Sequence, residues 1–161
     1  MKMPAHRFVQ SVLNSIKAES GLETRLFGDH LRLVAVKPGE VHIELDIKKE
    51  HTNRLRTVHG GVIASMVDVG GSLAVASRGL FATGVSTDLN VIFLNQGGYS
   101  GDVLKAIAKC DKLGKTLAFT SVEFTNTKGE LAARGSHTKY VRRAWGHPNN
   151  IVEKLTPLPG Q

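Results

Sequence analysis

A long apolar segment, residues 62–76, constrains the fold of this chain more than any other feature of its sequence. Its only charged residue is Asp68, and alanine, glycine and serine recur throughout it. A helix that is apolar on nearly all sides is buried on nearly all sides. The segment has fifteen residues, whereas a membrane-spanning helix needs roughly 20. It therefore predicts a central helix that the rest of the same domain encloses.

The residues at the start of this helix indicate a polar site. Gly60 and Gly61 precede the apolar segment, and their bare backbone lets a ligand approach unpaired N–H groups. These groups and the positive end of the helix dipole suit a developing negative charge. Asn53 lies on the preceding loop, and Asp68 is a carboxylate in apolar surroundings, where an unpaired charge is costly. A loosened helix start, a capping Asn and a backbone-bonded Asp explain the same residues, so both interpretations stay open.

Strands are predicted on both sides of the central helix by apolar residues that alternate with polar ones. The clearest case is 41–47, where Val, Ile, Leu and Ile alternate with His, Glu and Asp. A short amphipathic helix, with apolar residues at helical spacing from Phe8 to Ile16, precedes them. The predicted strands cover residues 31–36, 41–47, 85–94, 103–111, 116–125 and 131–141.

The later strands are separated by short glycine-containing links, which are typical of an antiparallel meander. These links contain Gly97-Gly98, Leu113-Gly114 and Lys128-Gly129. One long helix and about six strands give an α+β domain in which an antiparallel sheet wraps the helix. Periodicity ends near residue 141, so we predict one domain over 1–141 and an irregular tail over 142–161. The two open edges of such a sheet invite pairing with a second chain.

Charge and cysteine content limit the function classes. The net charge of +7 invites a nucleic-acid interpretation, but aromatics are few and no zinc-finger spacing, RNP-like motif or basic helix occurs. His51 and His59 lack further ligands at suitable spacing, so no metal site is predicted. A single cysteine, Cys110, fits a reducing compartment. We expect a cytoplasmic protein without a membrane span; the first acidic residue is Glu19, which leaves a mitochondrial location open.

Four motifs in order carry a resemblance to a known family. They are His51-Thr-Asn53 with Thr57-Val-His59-Gly60-Gly61 and Asp68, then Gly84-Val-Ser86-Thr-Asp-Leu-Asn90, Gly114-Lys-Thr-Leu-Ala-Phe-Thr-Ser-Val122 and Arg134-Gly-Ser-His-Thr-Lys139. Together they resemble the PaaI-like hotdog-fold acyl-CoA thioesterases, and most closely the eukaryotic thioesterase superfamily member two type. The resemblance covers about residues 6–141 and implies the hotdog fold, a sheet wrapped around one long helix.

The resemblance implies an enzyme that hydrolyses an acyl-CoA to a free acid and coenzyme A. Leu-rich and Val-rich strands with few aromatics favour an aliphatic chain, and the expected substrate is a fatty (medium- to long-chain) or related acyl-CoA. No cofactor is implied, because coenzyme A is part of the substrate. Hotdog proteins pair subunits at a sheet edge, so the resemblance also implies a homodimer and a dimer of dimers.

Hydrolysis of a thioester needs a donor for the oxyanion, an activated water and a hold on the acyl carrier. By resemblance, the Gly61 N–H is the candidate oxyanion donor, and Asp68 is the general base or the direct nucleophile. Asn53 orients the water or the thioester. His59 contacts the thioester sulfur or braces Asn53, and bracing is the favoured role. Ser86 positions the water or Asp68.

Coenzyme A carries phosphate groups, which a basic turn between two strands can bind. The residues considered for substrate binding are Gly60 at the helix start, Lys112, Gly114, Lys115 and Thr116 in the basic turn, and, less strongly, Lys139 and Tyr140 on the last strand. A solvated hairpin tip is the alternative interpretation of the basic turn.

Helix geometry predicts that each site is shared between two chains. Seven residues separate Gly61 from Asp68, which places their backbones about 10 Å apart along the axis. A base must reach its water at about 3 Å, beside the same carbonyl. Asp68 is therefore too far from Gly61 of its own helix, whereas a partner helix running antiparallel would bring its own Asp68 into range.

Two other functions remain open at this stage. Hotdog dehydratases also act on acyl thioesters and use a His with a carboxylate, although Asn53, Gly61, Asp68 and Ser86 fit hydrolysis better. The second is a non-catalytic module that binds acyl-CoA without turnover.

Overall fold

Helices and strands follow one another through residues 4–155, which are the residues that the computed structural model describes. The helices are α1 (Ala5–Glu19), α2 (Leu22–Phe27), α3 (Gly60–Ala76) and α4 (Val152–Leu155). The strands are β1 (Leu31–Lys37), β2 (Glu40–Asp46), β3 (Val85–Phe93), β4 (Val103–Leu113), β5 (Leu117–Thr125) and β6 (Leu131–Tyr140). Three-residue 3₁₀ helices lie at Lys49–His51 and Ala144–Gly146.

A single six-stranded sheet, in the order β1-β2-β4-β5-β6-β3, wraps around α3. All neighbouring strands are antiparallel. The apolar segment predicted to be the central helix is α3, and its Met66, Val67 and Leu73 are fully buried. The predicted α+β hotdog architecture is therefore confirmed. Within residues 4–155, no helix is both long enough and apolar enough to span a membrane.

The predicted meander is wrong at one strand. β3 pairs with β6, not with β4, so Gly97 and Gly98 do not form a hairpin turn. The link between β3 and β4 instead packs against the loop before α3, where the Val58 N–H donates to the Gly98 carbonyl at 2.9 Å. A Cβ on Gly97 would lie 2.3 Å from Val58. These glycines therefore allow a close approach of two loops that local sequence does not reveal.

Helix α2 has no counterpart among the predicted elements, because six residues are too few to show a helical period. A short-range signal is present nonetheless. Ser20 and Glu23 have the spacing of a capping box, and the Glu23 N–H donates to the Ser20 hydroxyl at 3.3 Å.

The segment after β6 contains more structure than the predicted irregular tail. Its last residues, 156–161, lie outside the described part of the chain. Between residues 142 and 155, the second 3₁₀ helix and α4 pack Ala144 and Leu155 into buried positions. Both helical pieces are too short to produce a recognisable periodicity.

Glycines bring α3 unusually close to the sheet. A Cβ on Gly71 of α3 would lie 2.5 Å from the Thr120 hydroxyl and 2.6 Å from Nδ1 of His137. A Cβ on Gly135 of β6 would lie 2.6 Å from Val67. Because real Cβ atoms do not approach so closely, any side chain at these positions would push the helix off the sheet.

Strand β3 is a free edge of the sheet with an apolar surface. Its apolar side chains Val85, Leu89, Ile92 and Phe93 have exposed fractions of 63%, 37%, 47% and 55%. An exposed apolar edge strand is a template for pairing with another chain. The start of α3 lies close to this edge strand. A Cβ on Gly60 would be 3.3 Å from the Phe93 ring.

Candidate active site

A cavity of about 600 Å³ opens at the start of α3. Asn53 and Gly60 contribute polar groups to its wall, and Val58, Ile63 and Phe93 contribute apolar ones. The residues 94–97, which follow β3, close another side. A concave, mostly apolar pocket with a few convergent polar groups is the usual form of a small-molecule site.

Asn53 is held by a tight turn in the loop before α3. Its side-chain oxygen accepts hydrogen bonds from the Leu55 N–H at 2.9 Å and from the Thr57 N–H and hydroxyl, both at 3.3 Å. The turn includes Arg56, which has a positive φ of 65°. With the oxygen committed to the loop, the side-chain NH₂ of Asn53 is the group free to donate into the cavity, since no acceptor for it occurs within residues 4–155.

His59 caps α3 instead of bracing Asn53. Its Nδ1 accepts a hydrogen bond from the Gly61 N–H at 2.7 Å, and no hydrogen bond joins it to Asn53 in the described chain. The hydrogen bond expected between His59 and Asn53 is therefore absent from residues 4–155, and contact with the thioester sulfur stays a prediction. Gly61 is also affected, because the N–H predicted to hold an oxyanion already has an acceptor.

Gly60 carries the N–H that remains unpaired at the helix start. None of the described residues accepts a hydrogen bond from it, and Gly60 lines the cavity. The first N–H groups of a helix lack partners within the helix and suit negative charge. The geometry thus moves the free donor one residue upstream of the predicted one.

A second polar group lies halfway along α3, where Asp68 lies near two residues of β6, His137 and Lys139. Ser86 on β3 and His137 on β6 form a hydrogen bond of 2.7 Å between the hydroxyl and Nε2. His137 is fully buried, and Lys139, two residues further on the same face of β6, is only 3% exposed. Asp68 interacts electrostatically with both His137 and Lys139.

Burial governs the protonation of this group. It lowers the pKa of His137 below its usual range, the Lys139 ammonium lowers it further, and the Asp68 carboxylate opposes both effects. Burial likewise lowers the pKa of Lys139, again against the influence of Asp68. The backbone of Val67 and Asp68 also raises the pKa of His137, although Nδ1 makes no hydrogen bond of regular geometry within residues 4–155. A neutral His137 that holds the Ser86 hydroxyl through Nε2 is consistent with these surroundings.

Residue types alone did not single out His137. The signal was its position two residues before Lys139, because residues i and i+2 of a strand share a face. A polar pair on the face that packs against the central helix is unusual, and it lies within the last of the four motifs. The same placement makes Lys139 a poor contact for a bound nucleotide, since the side chain faces the helix.

The predicted substrate-binding turn is the tip of the β4–β5 hairpin. Lys112, Lys115 and Thr116 are exposed there, and the Gly114 N–H donates to the Leu117 carbonyl at 2.9 Å. Tyr140 lies next to this tip, paired in register with Leu117.

Within one protomer these polar groups do not meet. Gly60 and Asp68 are eight residues apart on α3, or about 12 Å along the axis. The hairpin tip lies at the Val85 end of β3 and the cavity at its Phe93 end, which are about 26 Å apart at 3.3 Å per residue. The predicted separation of helix start and carboxylate is therefore present in the structure.

No cluster of three or more His, Cys, Asp or Glu side chains suited to a metal occurs within the described chain. His51 is buried and has a structural role. Its Nδ1 accepts from the Lys48 N–H at 2.9 Å, and its Nε2 lies 2.6 Å from the Leu26 carbonyl.

Comparison with known proteins gives consistent matches. A family model described as thioesterase superfamily matches residues 55–133. A putative esterase of Schizosaccharomyces pombe is 44% identical over 91% of this chain and 90% of its own length. Human acyl-coenzyme A thioesterase 13 is 38% identical over 82% of this chain and 95% of its own. The crystal structure of zebrafish thioesterase superfamily member 2 has a TM-score of 0.76 and 32% identity, covering 86% of this chain and 99% of that one.

Proposed function

This chain belongs to the thioesterase superfamily and is a thioester hydrolase, and from that premise we propose that it hydrolyses fatty acyl-CoA to a free acid and coenzyme A. One observation carries the assignment of the site. The unpaired Gly60 N–H at the start of α3 faces a cavity that Asn53 also lines. The name of the human relative, acyl-coenzyme A thioesterase 13, supports coenzyme A as the acyl carrier. No cofactor is needed for this reaction.

The helix start holds the thioester carbonyl. The Gly60 N–H and the Asn53 NH₂ donate to the carbonyl oxygen, and the helix dipole stabilises the negative charge that develops on it. Gly60 takes the role first predicted for Gly61, because His59 occupies the Gly61 N–H. Apolar cavity walls from Val58, Ile63 and Phe93 accommodate an aliphatic chain better than a charged one.

Asp68 activates the water. As a general base it takes a proton while the water oxygen attacks the carbonyl carbon, and collapse of the tetrahedral adduct breaks the carbon–sulfur bond. The departing coenzyme A sulfur then takes up the proton. Ser86 holds the water, and neutral His137 fixes the Ser86 hydroxyl through the 2.7 Å hydrogen bond. The alternative, direct attack by the Asp68 carboxylate, uses the same residues.

The two halves of the site come from different chains. In β3, Val85–Phe93, the middle residue is Leu89, so antiparallel pairing of two β3 strands about this residue sets Ser86 opposite the partner's Ile92. Phe93 is the neighbour of Gly60, so the Asp68, Ser86 and His137 group of one chain approaches the helix start of the other. We therefore propose a homodimer with two shared sites, itself paired as a dimer of dimers.

The half-buried Cys110 thiol fits the reducing cytoplasm, with the mitochondrion as the alternative.

Release of free thiol from a panel of acyl-CoAs of increasing chain length tests the activity. Hydrolysis liberates thiol in proportion to acid, with the highest kcat/KM for medium to long chains. A hotdog hydratase/dehydratase adds water to an enoyl-CoA without liberating thiol, and a binding module gives neither change. The protein's own thiol interferes little, because burial raises the pKa of Cys110 to about 11 and the thiolate is the reactive form.

The hydrogen bond between Ser86 and His137 makes a double-mutant prediction. Ser86→Ala and His137→Gln should each lower kcat by about fivefold to tenfold, the value of one lost hydrogen bond. The double variant should be little worse than the worse single one, because both changes remove the same contact. Steady-state kinetics on folded variants measures this, and fully multiplicative losses would show that the two residues act independently.

The basic turn makes a prediction about substrate affinity. Replacing Lys112 and Lys115 together by Ala should raise KM for acyl-CoA several-fold, and added salt should shrink the difference, because exposed phosphate contacts are screened. A pantetheine thioester, which lacks the nucleotide, is the control substrate and should be unaffected. Equal losses on both substrates would show that the lysines act elsewhere.

A further inference from the structure

Trp145, the single tryptophan of the chain, lies against the tip of the β4–β5 hairpin. Its indole N–H donates to the Gly114 carbonyl at 3.3 Å, yet 38% of its surface stays exposed. The ring also forms one wall of a cavity of about 340 Å³, whose other walls come from residues 150–154. An exposed indole at the rim of a cavity is suited to stacking against a flat, aromatic ligand.

The segment that presents Trp145 is fixed in place. The Asn150 side-chain NH₂ donates to the carbonyls of Ala144 at 2.8 Å and Trp145 at 3.1 Å, and its oxygen accepts from the Phe81 N–H at 2.9 Å. The Ile151 N–H donates to the Gly79 carbonyl at 2.8 Å. The indole is therefore held in position before any ligand arrives, which reduces the entropy lost on binding.

The surroundings of the indole are strongly basic. The hairpin tip that Trp145 contacts and the segment after β6 carry five exposed cations, which are Lys112, Lys115, Arg142, Arg143 and Lys154. No carboxylate of the described chain lies within 4.0 Å of any of them, since all the ion pairs found there involve other residues. Glu153 is the acidic side chain in the cavity wall. The cations thus have charge available for a polyanionic ligand.

We propose that Trp145 and these cations bind the adenine nucleotide end of coenzyme A, the base stacking on the indole and the phosphates meeting the lysines and arginines. The inference rests on the proposed acyl-CoA substrate. The basic turn accounts only for phosphate binding, and Trp145 adds a binding surface for the adenine base. Arginine and lysine are the side chains that bind phosphate, and stacking on an aromatic ring binds any nucleobase. The five cations outnumber the two acidic residues of the same segments, Asp111 and Glu153.

The spacing fits one ligand that reaches both places. Ser86, Lys139, Ala118 and Leu113 stand opposite one another in a single row across β3, β6, β5 and β4. Three strand spacings of 4.8 Å separate Ser86 from Leu113 by about 14 Å. Gly114, which contacts Trp145, is the next residue. An extended phosphopantetheine arm bridges such a gap between a thioester beside Ser86 and a nucleotide beside Trp145.

Tryptophan fluorescence can measure ligand binding at Trp145 directly, because Trp145 is the only tryptophan in the sequence. Titration of the unmodified protein with adenosine 3′,5′-bisphosphate, which has the base and phosphates but no thioester, should quench this fluorescence saturably. The quenching should require higher concentrations at high salt and in the Lys112→Ala/Lys115→Ala variant. No saturable change, or one that is insensitive to both salt and the lysines, overturns the proposal.

A kinetic comparison provides the second measurement. Trp145→Ala should raise KM for acyl-CoA by about tenfold, the effect of losing one stacked base, with kcat and the KM of a pantetheine thioester unchanged. Trp145→Phe, which keeps a stacking ring, should recover part of the loss. Equal effects on both substrates overturn the nucleotide site while leaving the hydrolase activity in place. Saturable quenching in a protein that hydrolyses no acyl-CoA supports the nucleotide site and removes the proposed function.

Discussion

Asp68→Asn is expected to lower kcat by about 10²–10⁴-fold while the protein stays folded, because a positioned general base contributes that much. The substitution is nearly isosteric and removes only the charge. The Asp68 side chain is partly exposed and makes no hydrogen bond or ion pair within residues 4–155. Its electrostatic interactions with His137 and Lys139 are the main contribution that the substitution removes from the fold. Thiol release from acyl-CoA under saturating substrate measures the effect.

The matched control is Asp29→Asn, the same chemical change at an exposed carboxylate before β1. It should leave kcat within a factor of about two, as surface substitutions usually do. Asn53→Ala should lower kcat less than Asp68→Asn, since the Gly60 N–H still binds the oxyanion. Near-normal turnover by folded Asp68→Asn would remove this residue from the mechanism, and a larger loss from Asn53→Ala would invert the two roles.

Mixing two inactive variants should restore activity if each site is shared. Gly60→Val fills the helix start, and Asp68→Asn removes the base, so each variant alone has no intact site. A heterodimer of the two has one site with both defects and one with neither. Random pairing makes half of the dimers heterodimers with one working site of two, so about a quarter of wild-type activity should return.

The test needs folded partners that exchange. Gly21→Val is the matched control, because Gly21 has open space around its Cβ position and lies away from the site; it should fold, dimerise and keep full activity. Circular dichroism and gel filtration establish that Gly60→Val does the same before mixing. Folded, mixed dimers that stay inactive would show that each site is built within one chain.

The sequence predicted the parts of this fold that depend on periodicity. The central helix and six strands follow from apolar spacing, and the distance between the helix start and Asp68 follows from helix rise alone. The pairing of β3 with β6 could not be predicted, because it depends on contacts between loops distant in sequence, such as Val58 with Gly98.

The residue types of the candidate site could be chosen from the sequence, but their hydrogen-bond partners could not. Asn53, Gly60, Asp68 and Ser86 stand out in the sequence, yet nothing local indicates that His59 would occupy the Gly61 N–H. The contact between Ser86 and His137 joins strands that are 51 residues apart. Trp145 was missed because the segment after β6 has no period and its contact with Gly114 is again long-range.

The close approach of α3 to the sheet limits how this protein can evolve. Gly71 lies against Thr120 and His137, so the residue that allows dense packing also sets where the imidazole beside Ser86 can lie. A bulkier residue at position 71 would shift the helix and move Asp68 with it. Small displacements of a catalytic group are enough to slow a reaction. Under the proposed mechanism, stability and turnover are therefore coupled through one backbone position. Under the proposed function, substrate preference can change more readily through cavity-wall residues outside α3, such as those at 94–96, than through Gly71.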